Sequence, residues 1–65
     1  MLPFRVYDRS RKTTWIVLNY HESAEGGEYL AAREDDSNKD GELVILSAKE
    51  ITKYRLVDIV QQEES

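Results

Sequence analysis

The chain has 65 residues, 40% apolar and 34% charged, with a formal net charge of −4 and no cysteine. That length holds one hydrophobic core and no second domain, and the missing cysteines exclude disulfides, thiolate zinc sites and thiol nucleophiles, so a cytoplasmic setting is the expectation. The charge is split along the chain: residues 1 to 12 carry four cations against one acid, whereas residues 22 to 42 carry eight acids against two cations.

Met1-Leu2-Pro3-Phe4-Arg5 leads into no long apolar stretch, and the longest apolar run, Trp15 to Leu18, is far too short to cross a bilayer, so neither a signal peptide nor a membrane partner is expected. Phe4 to Arg9 alternates in polarity, and Thr13 to Tyr20 is rich in β-branched and aromatic residues; both predict strands. With Ser10-Arg11-Lys12 as a three-residue connection, Phe4 falls opposite Leu18, Val6 opposite Ile16 and Tyr7 opposite Trp15. That register puts Phe4, Val6, Ile16 and Leu18 on one face and Arg5, Tyr7, Arg9, Trp15 and Val17 on the other. His21 to Gly27 is polar, ends in a glycine pair and predicts a loop.

A third strand is expected from about Glu28 to Arg33, followed by the acidic connection Glu34 to Glu42 and a short apolar strand, Leu43 to Leu46. Ser47-Ala48-Lys49-Glu50 has the spacing of a capping box, so a helical turn starts there, near residues 47–52. The β-branched and aromatic content of Tyr54 to Val60 favours a closing strand. Residues 1–60 are thus one small β domain and residues 61–65 a frayed polar tail.

Two hairpins, one helical turn and a closing strand make an all-β order that resembles the small five-stranded SH3-like and Sm-like barrels, which curl a meander onto itself. The alternative is an α+β fold in which a C-terminal helix packs on a four-stranded antiparallel sheet. The resemblance lies in element order, and no family motif accompanies it.

Chemistry-bearing patterns are few. Asp36-Ser37-Asn38-Lys39-Asp40-Gly41 fits the first half of an EF-hand loop, but the twelfth position falls on Ser47, so an ordinary solvated turn is the expectation and no metal is assigned. His21, the lone histidine, stands beside Glu22 and Ser23, whose side chains cannot converge with it on an extended chain. Nothing in the sequence supplies the apolar burial that would set one carboxylate's pKa apart from a neighbour's, and the glycines form no nucleotide-binding loop. No catalytic residue and no cofactor is expected.

What remains is the outward side of the first hairpin, where Arg5, Tyr7, Arg9 and Trp15 gather with Arg11 and Lys12 at the turn. Such a surface suits a protein partner, or nucleic acid by stacking on bases while neutralising phosphates. Against this stands the use of Trp15 as the core ring of a small domain. A non-catalytic protein-interaction module comes first, with head-to-tail self-association permitted by the split charge. A small-barrel nucleic-acid binder is second, and an acidic decoy for a nucleic-acid-binding protein is third.

Overall fold

A computed structural model describes residues 2–35 and 40–60. Five strands and one short helix follow in order: β1 (Phe4–Asp8), β2 (Thr13–Ser23), β3 (Gly26–Arg33), β4 (Leu43–Ser47), α1 (Ala48–Ile51) and β5 (Arg55–Ile59). All pairings are antiparallel, in one sheet of order β4-β3-β2-β1-β5. The expected closure into a barrel is corrected: β4 and β5 are the two outer strands and do not pair with each other. Residues 55–59 are strand rather than helix, so the α+β alternative is also set aside.

The first hairpin sits one residue away from its expected register. Phe4 faces Val17, Val6 faces Trp15, and Asp8 faces Thr13, leaving four residues, 9–12, in the turn. The cause is Asp8, whose Oδ1 accepts from the Ser10 amide (3.0 Å), the Ser10 hydroxyl (2.8 Å) and the Arg11 amide (3.3 Å). These bonds draw Arg9 into the turn, and Lys12 completes the reversal at φ 52°. Because side chains alternate with period two, the slip of one moves Trp15 and Val17 to the face of Phe4 and Val6.

The connection between β2 and β3 is tighter than the loop expected over His21 to Gly27. β2 runs through His21 to Ser23 and pairs Ser23 with Gly26, so only Ala24 and Glu25 form the turn. Gly26 takes φ 122°, a value that L side chains rarely adopt, and its carbonyl accepts from the Ser23 hydroxyl at 2.7 Å. Leu18 is the extra residue of a bulge between the Val17–Ala31 and Asn19–Leu30 pairs. Beyond it, the Tyr20 ring lies over Gly27 and meets Tyr29, with ring centres 4.8 Å apart, and Tyr29 in turn meets the edge of Phe4 at 6.1 Å.

The inner face carries the core: Val6, Trp15, Val17, Ala31 and Leu46, with Phe4, Tyr29, Val44, Ile51 and Tyr54 packed against them. The α1 turn starts at Ser47, whose hydroxyl accepts from the Glu50 amide at 3.1 Å. It packs on β3 and β4 and leads the chain back to β1, beside which β5 lies. Among the described residues no helix is long and apolar enough to cross a membrane.

Candidate recognition site

The register separates the six residues expected to share a surface. Trp15 is in the core, 6% exposed, with its indole N–H buried and without a partner. This corrects its placement beside Tyr7 and removes the large ring from any stacking platform. Arg5 lies on the outer face and is held by two carboxylates: its Nε donates to Glu34 at 2.8 Å, and its Nη1 to both Asp58 oxygens at 3.1 and 3.2 Å. The bonds to Glu34 and then Asp58 raise the guanidinium pKa above its ordinary value. Arg5 therefore ties the chain just after β3 to β1 and β5 and offers little to a ligand.

Tyr7, also on the outer face, pairs with Arg55 and joins Arg55, Leu56 and Val57 around a shallow cavity of about 230 Å³. β5 is exposed along its whole length, including Leu56 at 58%, Val57 at 52% and Ile59 at 45%. Among the described residues it pairs with β1 on one side only, and no strand of them covers its other row of backbone donors and acceptors.

Arg9, Arg11 and Lys12 stay together in the 9–12 turn. Arg9 and Arg11 form one wall of a cleft of about 390 Å³, and Glu50, Lys53 and Tyr54 form the other. Each wall is built by local hydrogen bonds. On the first, Asp8 binds the turn amides, and the Thr13 hydroxyl donates to the Arg11 carbonyl at 3.0 Å. On the second, the Lys53 and Tyr54 amides donate to the Glu50 and Ile51 carbonyls at 3.1 and 3.0 Å, continuing the α1 turn.

The titrating groups of the cleft are coupled to this scaffold. Burial pushes the Asp8 carboxyl up, but the Ser10 hydroxyl, the Arg11 and Ser10 amides and the Arg11 charge outweigh it and hold it below its ordinary value. Burial first, then the hydrogen bond and charge of Glu50, push the Tyr54 phenol up to about 12. The Asp8 carboxylate is thus occupied within the protein. Of the cations of the cleft, Arg11 reaches Asp8 only at 3.7 Å, and Arg9 and Lys53 have no ion-pair partner among the described residues.

Lys53, Tyr54, Leu56 and Val57 were not singled out from the sequence. The string Lys53-Tyr54-Arg55 does repeat the cation and aromatic character of the first hairpin. Its proximity to residues 9–11, however, arises only through the β5–β1 pairing. His21, expected in a loop, lies in β2 directly across from Glu28. Among the described residues no three metal-ligating side chains cluster, and residues 36–39 of the EF-hand-like string lie outside them, as does the 61–65 tail. No protein-family model matches the chain, and comparison with curated proteins and with solved structures gives no significant match.

Proposed function

We propose that this chain is a non-catalytic protein-interaction module that accepts an extended segment of a partner protein as a sixth strand along β5. The observation that carries this reading is the open β5 edge, lined by Leu56, Val57 and Ile59 and flanked by the cavity that Tyr7 shares with Arg55. Strand addition uses main-chain hydrogen bonds for affinity and side-chain pockets for specificity, and this edge supplies both. β5 contains neither lysine nor proline, and although the bulge at Val57 and the charges of Arg55 and Asp58 interrupt it, three apolar residues remain exposed along it. The order of strands, with β5 returning beside β1 after a helical turn, supports an SH3-like meander in open form.

The nucleic-acid alternative keeps Arg9, Arg11 and Lys12 but loses Trp15 to the core and Arg5 to its carboxylates. Affinity capture from the native cell with the wild-type chain, Leu56→Asp, Val57→Lys and, at the other sheet edge, Ile45→Asp tests the reading. A partner retained by wild type and Ile45→Asp but lost by both β5 variants is the expected result. Equal capture by all four chains overturns it.

A further inference from the structure

We infer that the cleft between the 9–12 turn and Lys53 binds a phosphate monoester, borne on a serine or threonine side chain of a partner protein. Arg9 and Arg11 enter from one wall and Lys53 from the other, so three cations from distant parts of the sequence converge on one cavity. At about 390 Å³ the cavity falls within the ~300–1,000 Å³ range of ligand pockets and exceeds what a bare ion fills.

Two of the three cations are available, and the third, Arg11, reaches Asp8 only at 3.7 Å. Arg9 and Lys53 have no ion-pair partner among the described residues, in contrast to Arg5, which two carboxylates hold. Asp8 turns its Oδ1 to the Ser10 and Arg11 amides and the Ser10 hydroxyl, and the three cations of the cleft outnumber its two carboxylates, Asp8 and Glu50. Asp8 fixes the backbone that carries Arg9 and Arg11, so less order has to be created when a ligand arrives. Guanidinium forks match the geometry of a phosphoryl group and bind it through paired hydrogen bonds.

A monoester fits this cleft better than a nucleic-acid backbone. It carries roughly −1.5 to −2 on one compact group near neutral pH, whereas a polyanion spreads its charge along an extended path. Such a path meets the acidic connection at the same end of the sheet, where the Glu34 amide donates to the Thr14 carbonyl at 2.9 Å, next to the 9–12 turn. With Trp15 in the core the indole is not there for a base, and Tyr54, the ring that lines the cleft, is packed against the core.

A heteronuclear NMR titration of the full chain tests the site with four probes: a blocked phosphoserine pentapeptide of neutral sequence, its unphosphorylated form, inorganic phosphate and a short single-stranded RNA. The phosphopeptide is expected to shift the Ser10, Arg11, Lys53 and Tyr54 amides saturably, about tenfold or more tightly than any other probe. Arg9→Ala and Lys53→Ala, both at exposed positions, weaken it by about tenfold or more each, while Lys49→Ala, outside the cleft, leaves it unchanged. Unaltered dispersion of the core signals in each variant reports that the fold is intact.

Equal affinity for inorganic phosphate overturns the protein-borne ligand, and tighter binding of RNA overturns it in favour of nucleic acid. No saturable shift, or shifts indifferent to Arg9 and Lys53, removes the site. The cleft shares no residue with the β5 surface, so its failure and that of strand addition are separately visible.

Discussion

β1 and β5 are neighbours in the sheet and both are five residues long, yet their environments are opposite. β1 has a strand on each side and buries Val6 and Asp8 to 2% and 3% exposure. β5 has a strand on one side only, and every residue in it is exposed, although Arg55-Leu56-Val57-Asp58-Ile59 is no less apolar than Phe4-Arg5-Val6-Tyr7-Asp8. What separates them is position. An inner strand finds side chains on both flanks and the core beneath it; of the two outer strands, β4 has α1 packed on it and still turns Leu46 into the core, whereas β5 shows its apolar residues to water or to a partner. Most of the core therefore sits on the inner strands, and β5 contributes no buried side chain.

That contrast breaks most readily at Trp15. Trp15→Ala should cost ~3–5 kcal/mol, which exhausts the stability of a domain this small, and circular dichroism with urea titration should find the chain largely unfolded. A well-folded variant would contradict the placement of this ring in the core.

Asp8→Asn should have a smaller effect that depends on pH. The Asp8 carboxyl is held below its ordinary value in the folded chain, so it contributes stability above the unfolded value of about 4 and loses that contribution as pH falls through the folded one. The variant should be less stable than wild type at neutral pH, and its urea midpoint should decline less steeply on acidification. Parallel profiles for the two chains would show that Asp8 does not anchor the turn.

Leu56→Ala should cost least, within ~0.5 kcal/mol by urea titration, because the side chain is 58% exposed. A loss on the scale of a core truncation would mean that β5 is covered.

The number and order of elements were legible because each strand carries its own β-branched or alternating pattern and Ser47 announces its helical turn. Register was not. The Asp8 carboxylate adds one residue to the first turn by bonding amides two and three positions ahead, and hydropathy does not register such a bond. His21, Glu22 and Ser23 read as loop residues in the sequence, yet cross-strand partners on β3 hold them as strand.

The bulges at Leu18 and at Val57 add parity changes that only paired strands reveal. Of the expected surface, the cations of the 9–12 turn remain together, and Tyr7 finds a different neighbourhood against β5. Arg5 keeps the outer face expected of it beside Tyr7, and of the two uses weighed for Trp15 the structure takes the core ring. For the residues of β2, one residue of register decides which face a side chain takes, and so whether it meets core or solvent.

The pairing of β5 with β1 also has a temporal consequence. Each hairpin joins residues close in sequence, whereas Phe4 meets Ile59 only after nearly the whole chain has been brought together. Closing that long loop carries the largest entropic cost of any pairing in the sheet, so β5 should dock last during folding and be the first strand to lift away in native fluctuations. A segment bound along it would act as a clasp, keeping the ends of the chain together and slowing the escape of the strand that holds them.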